Sequence, residues 1–136
     1  MDLLDELLRV TDQCAEHRIS YALCGSLAVA IHGAPQCTIE IELLVPQGDL
    51  RRAKNAACMA GFDHELPNPS SVKPLTTHLI KVAGKAFPLL DLFVADQENE
   101  NLLSDPLWIK HSGKRVAVIS KSNLPKNEVS RRAPEG

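Results

Sequence analysis

Aromatic side chains are scarce in this chain, with one Trp, one Tyr and three Phe making up 4% of its 136 residues. A core must therefore be built from Leu, Ile, Val and Ala, and a hydrophobic content of 44% is enough for one compact domain of this length. No apolar run is long enough to cross a bilayer, which argues against a membrane partner. The first leucines are interleaved with Asp2, Asp5 and Glu6, unlike a charged-then-apolar leader. Four cysteines, Cys14, Cys24, Cys37 and Cys58, form no CxxC pair and have no metal-like spacing. Each sits in an apolar pattern, so the expectation is buried thiols in a reducing cytoplasm. There is no internal repeat.

Charge of one sign is also lacking, but only on average. Residues 1–103 carry 8 basic and 14 acidic side chains, a balance of −6, whereas residues 104–136 carry 7 and 3, a balance of +4. A basic end can meet a nucleotide or a nucleic acid. No aromatics interleave with these charges after Trp108, which weighs against RNA binding. A solvated, partly disordered end is the plainer reading.

Residues 2–17 have the spacing of an amphipathic helix, with Leu3, Leu4, Leu7, Leu8, Cys14 and Ala15 on one side and Asp2 placed to cap it. ISYALC, residues 19–24, reads as a buried strand. Gly25-Ser26 breaks it, and LAVAIH gives about two helical turns, stopped by Gly33-Ala34-Pro35. A strand over 37–45, a turn over 46–49 and a helix over about 50–60, capped by Asp49 and ended by Gly61, come next. The Pro-rich stretch 63–77 reads as a loop. Strands over 78–83 and 87–95 flank Gly84-Lys85, and 107–111 and 115–119 flank Ser112-Gly113, as two hairpins. Between them, 96–105 predicts a short helix before Pro106. The fold class expected is α/β (α+β): a mixed sheet with helices packed on it. The domain spans 1–122, and 123–136 reads as a flexible tail.

One strand poses a question. In CTIEIELLV, Cys37, Ile39, Ile41, Leu43 and Val45 face one way, and Thr38, Glu40, Glu42 and Leu44 face the other. Residues two apart on a strand lie roughly 6–7 Å apart on one side. Two carboxylates so placed can close on divalent cations; without a cation they repel. An antiparallel strand with one wet face alternates in the same way, so the pair by itself decides nothing. Gly25-Ser26, between a buried strand and a helix, offers unpaired N–H groups and a hydroxyl to a phosphate, although it also suits an ordinary strand-to-helix turn with Ser26 as the cap. Asp91 is the lone charge in the nine residues FPLLDLFVA. Buried without a partner it would cost several kcal/mol. If its strand lies beside 37–45, that partner is a metal shared with Glu40 and Glu42; an edge-strand Asp facing water is the alternative.

Together, Gly25-Ser26, Glu40-x-Glu42 and Asp91 resemble the nucleotidyltransferase superfamily with the polymerase-beta-like palm. YALCGSLAVAIHGAPQCTIEIELLV is most similar to its minimal branch, which includes nucleotidyltransferase-like proteins of toxin–antitoxin and abortive-infection systems. In that branch a Gly-x-Pro before a Thr and the acidic pair is typical, as in Gly33-Ala34-Pro35 and Thr38. The resemblance covers roughly residues 1–120 and implies a metal-dependent transfer of a nucleoside monophosphate from an NTP to a hydroxyl. The acceptor would be a protein or a small molecule. It implies Mg2+ or Mn2+ as cofactor and ATP as the first NTP to consider. Glu40 and Glu42 would hold metal, Gly25 and Ser26 the triphosphate, and Asp91 the second metal and the nucleophile. It also admits a catalytically impaired module that binds a nucleotide or a protein partner. The sequence departs from the pattern in that both acids of the pair are Glu where Asp is usual. The extra methylene adds about 1.5 Å of reach, and a 1 Å misplacement can cost ~100-fold in rate. The ending LPKNEVSRRAPEG, with Pro125, replaces a usual further helix and reads as shortened.

Other residues carry less. His32 ends the short helix near the phosphate position but suits a cap. Arg51 and Arg52 begin a helix and could face a phosphate or plain solvent. Lys81 and Lys85 could reach a triphosphate or simply solvate a hairpin. His64, His78 and His111 are scattered and receive no assignment.

Overall fold

The computed structural model describes residues 2–33, 40–67, 76–96 and 100–120. Helix α1 runs over Leu3–Glu16, and its cap is the expected Asp2, whose carboxylate accepts from the Leu4 and Asp5 amides. The following strand, β1, is only Ala22–Cys24. Ile19 and Tyr21 are buried as expected for 19–24, but they lie before the strand. The delay comes from how α1 ends. Arg18 takes a left-handed φ of 56°, Arg18 N–H donates to Ala15 O and Ile19 N–H to Cys14 O. This is the paired closure that stops a helix.

Helix α2 (Gly25–Ile31) follows β1 without a linker. Strand β2 is Glu40–Pro46, so the expected start at 37–39 lies outside the described residues. A 3-10 turn leads to helix α3, Leu50–Met59. Asp49 stands at its cap but makes no side-chain cap bond; its carboxylate takes Arg52 instead, at 2.9 Å. Gly61 does end the segment, with φ 102°, and Phe62 N–H donates to Ala57 O while its ring drops into the core.

The stretch 63–77 is not all loop. It holds β3, His64–Leu66, and the start of β4, Thr76–Ile80. Both strands are cross-paired, and pairing satisfies backbone groups wherever the prolines leave room. Strand β5, Leu89–Ala95, returns antiparallel to β4, with a bridge between Ala83 and Ala86 around the expected Gly84-Lys85 tip. A 3-10 turn over Glu100–Leu103 replaces the short helix. The second hairpin is β6, Leu107–His111, and β7, Lys114–Val118, as read. The expected tail over 123–136 falls outside the described residues.

The strands form one sheet in the order β3-β4-β5-β2-β1-β7-β6. The β2·β5 and β1·β7 pairs are parallel and the others antiparallel. The expected mixed sheet with packed helices is therefore present. Ile41, Leu43 and Val45 are fully buried, with Leu23, Leu90, Leu92 and Val118 beside them. Leu7, Val10 and Cys14 of α1 and Ala53, Ala56 and Ala57 of α3 close the same core. The small α3 residues let that helix approach closely, as a core poor in aromatics requires. No described helix is long and apolar enough to cross a membrane.

Some residues depart from their expected roles. Cys58 is exposed and Cys24 half-buried, whereas Cys14 is buried as expected and Cys37 lies outside the described residues. Lys81 faces neither solvent nor a phosphate: its Nζ donates to Glu6 Oε1 at 2.7 Å and to Ala60 O at 3.1 Å, and lies over the Phe62 ring. It thereby ties α1, the end of α3 and the β4–β5 hairpin together. Lys81→Ala leaves the Glu6 carboxylate desolvated without its cation, and should lower unfolding free energy by about 2–3 kcal/mol. In urea titrations the double change Lys81→Met with Glu6→Leu should cost less than Lys81→Ala alone.

Burial pushes the Cys14 thiol from 9.0 up to about 11. The unfolded chain ionises this thiol first, so it binds fewer protons there and stability falls as pH rises. The contribution is intact below pH ~9 and lost on approach to about 11, on the order of 2–3 kcal/mol. Tyr21 moves upward too, chiefly through burial. Urea unfolding across this window should show a smaller alkaline loss in Cys14→Ala than in the wild type.

Candidate functional site

Strand β2 alternates as its sequence requires. With Ile41, Leu43 and Val45 in the core, Glu40 and Glu42 must emerge on the opposite sheet face, and both are half-buried there. The parallel pairing with β5 sets Glu42 directly beside Asp91 and Glu40 beside Leu89. Asp91 is 9% exposed, so it is not an edge-strand residue facing water. One carboxylate oxygen from each of Glu40, Glu42 and Asp91 comes within 4.8 Å of the others. The three acids singled out in the sequence are thus brought together.

The row continues on both sides. Cys24 pairs with Glu42 across β1·β2, and its Sγ–H donates to the Glu42 carbonyl at 3.4 Å. On the other side His78 of β4 pairs with Asp91, and its Nδ1–H donates to Asp91 Oδ1 at 2.7 Å. His78 received no assignment from the sequence. The available signal was the β4–β5 hairpin itself: its antiparallel register places His78 opposite Asp91.

Gly25 and Ser26 open α2 against this row. Ser26 is buried, but as a first-turn residue rather than as the cap, a position held by Cys24. The Ser26 amide donates to Glu42 Oε2 at 3.2 Å. Gly25 has φ +71°, and a Cβ there would fall 1.3 Å from Glu42 Oε2. The longer Glu side chain therefore folds back over the turn, and only glycine admits it.

Other candidates are placed elsewhere. His32 is the C-cap of α2, and its Nε2–H donates to Ile119 O at 2.9 Å, pinning the helix end to β7. Arg52 bonds Asp49 and the His17 carbonyl, and Arg51 and Lys85 are exposed. A cleft of about 790 Å³ lies by Asp12, Arg18, Tyr21, Trp108 and Lys114, and Glu40, Glu42 and Asp91 do not line it. Arg115 stacks over Trp108 there, 4.7 Å from the ring centre. Among the described residues, Glu40, Glu42 and Asp91 are the acids whose oxygens converge closely enough to share a cation.

No family model and no curated protein sequence matches the chain. Solved structures do. A protein of Thermotoga maritima, TM1012, assigned as a nucleotidyltransferase, superposes with a TM-score of 0.62 at 13% identity, over 88% of this chain and 78% of its own. The lincosamide antibiotic adenylyltransferase LnuA, solved with lincomycin, gives 0.61 at 11% identity over 94% of each chain. The antibiotic-resistance factor ANT(2'')-Ia gives 0.56 at 13% identity, over 97% of this chain and 82% of its own. The chain has the nucleotidyltransferase fold. Identity this low conveys the fold alone, so the nucleotidyltransferase fold is what the expected resemblance delivers, and the chemistry must be argued from the carboxylates.

Gly25→Ala brings a Cβ onto the Glu42 carboxylate and strains a left-handed backbone. In thermal unfolding it should cost more than the roughly 1–2 kcal/mol of the backbone change alone. In a Glu42→Ala background most of the excess should vanish, since of the three close contacts only that with the residue-42 Cβ, at 3.0 Å, is kept.

Proposed function

We propose that this protein is a metal-dependent nucleotidyltransferase, moving a nucleoside monophosphate from an NTP to a hydroxyl. The observation that carries the reading is the convergence of Glu40, Glu42 and Asp91 in a nucleotidyltransferase fold.

The donor set fits the cation. All three groups offer hard carboxylate oxygens, the ligands Mg2+ and Mn2+ take. Octahedral Mg–O bonds of about 2.1 Å put opposite ligand atoms about 4.2 Å apart. Oxygens within 4.8 Å of one another close to that span with small side-chain rotations. Cys24, the nearby soft donor, is directed at a backbone carbonyl.

On this reading Glu40 and Glu42 hold one cation, and Asp91 contributes to a second. When bound, the cations neutralise charge on the α-phosphate and on the departing pyrophosphate. Asp91 orients the acceptor hydroxyl and receives its proton. Gly25 allows a phosphate close to the backbone, and the Ser26 amide and hydroxyl donate to it. Glu42 has three rotatable bonds, so it can leave the Ser26 amide as the phosphate arrives. ATP is the NTP to test first. A small-molecule acceptor is preferred to a protein, since LnuA and ANT(2'')-Ia are both named for antibiotics. A reducing cytoplasm is the compartment this reading assigns, where an exposed thiol such as Cys58 stays reduced.

One observation favours a second reading. Both acids are Glu, and Glu42 already occupies the Ser26 amide. A module of this fold that binds a nucleotide or a partner without transfer would tolerate that arrangement.

Calorimetric titration with Mn2+ and a non-hydrolysable ATP analogue separates the two. Metal-dependent binding in the wild type, weakened at least 10-fold in Glu40→Ala with Glu42→Ala, is the expected result. Metal-independent nucleotide binding would favour the non-catalytic module. Pyrophosphate release with a hydroxyl acceptor, absent in Asp91→Asn, would then establish transfer.

A further inference from the structure

We infer that His78 is a positioning residue for Asp91, holding its carboxylate in the orientation that the cation site needs. The inference rests on the nucleotidyltransferase reading and extends it to a residue outside the acidic set.

The three acids differ in how firmly they are held. Glu40 and Glu42 each have three rotatable side-chain bonds, and Glu42 spends one oxygen on the Ser26 amide. Asp91 has two rotatable bonds and is the most enclosed of the set, at 9% exposure. It is the short, fixed member against which the longer two must close. Among the described residues its orientation is set by one side chain, His78, whose Nδ1–H donates to Oδ1 at 2.7 Å. That bond leaves Oδ2 with its lone pairs for a cation.

The backbone makes the contact hard to lose. Asp91 is paired with Glu42 on one flank and with His78 on the other, so the three side chains share one row of the sheet. A hydrogen-bonded partner that fixes a ligating carboxylate changes metal affinity by about 10–100-fold when removed. The carboxylate also selects the ring form: Asp91 requires the proton on Nδ1.

Three variants test this. Asn carries an amide nitrogen near the Nδ1 position, Gln carries one near Nε2, and Leu carries none. Mn2+ affinity should fall 10–100-fold in His78→Leu and His78→Gln, and His78→Asn should recover most of it. The Gln variant serves if the Leu variant fails to fold. Nitrogen-15 spectra of the wild-type ring should show the Nδ1–H form, lost in Asp91→Ala. Wild-type Mn2+ affinity in His78→Gln, or an unchanged ring form in Asp91→Ala, would overturn the inference alone. Equal losses in the Asn and Gln variants would overturn it too. No Mn2+ binding by the wild type would remove the metal reading itself.

Discussion

The parallel register between β2 and β5 is the constraint on which the rest of this molecule depends. It sets Leu43 against Leu92 and Glu42 against Asp91 with the same hydrogen bonds. A slip of one residue would turn Asp91 into the core and Leu92 out of it. The burial of Ile41, Leu43, Leu90 and Leu92 therefore does more than stabilise the sheet: it disfavours every odd slip, each of which would carry Asp91 into the core. Hydrophobic patterning on one face specifies polar convergence on the other.

That convergence has an electrostatic cost. Like charges with oxygens within 4.8 Å repel, and the fold offsets this locally rather than by separating them. Glu42 accepts from the Ser26 amide at the positive end of a short helix, and Asp91 accepts from His78. Each acid of the cross-strand pair thus has its own donor. The core behind them, tied at its rim by Lys81 and Glu6, resists any splaying of the strands.

Much of this was legible in the sequence, for identifiable reasons. Strong periodicity gave α1, α3 and the two hairpins, and an isolated Asp in FPLLDLFVA implied a partner, which the sheet supplies in His78 while also setting Asp91 beside Glu42. Over Glu40–Val45 the alternation correctly put Ile41, Leu43 and Val45 in the core and Glu40 and Glu42 on the other face. What was hidden is long-range. Lys81 looked like a solvated hairpin lysine because Glu6 is 75 positions away. His78 looked incidental because its meaning lies in a register, not in its neighbours. Strand β3 was hidden by prolines that break local patterns without preventing edge pairing.

The position of β1 bears on how the chain comes to be assembled. This three-residue strand lies inside the sheet, and its flank toward β7 is closed by the Leu23–Val118 pairing and by Ile119 N–H donating to Leu23 O. During synthesis β1 and β2 can pair early, but that flank of β1 stays open until the far end of the domain emerges. At ordinary translation rates the wait is on the order of ten seconds. An open strand edge in a nascent chain is a template for the wrong partner. A strand of only three residues offers few bonds to an intruder, so its brevity protects this interior flank until the β6–β7 hairpin closes it.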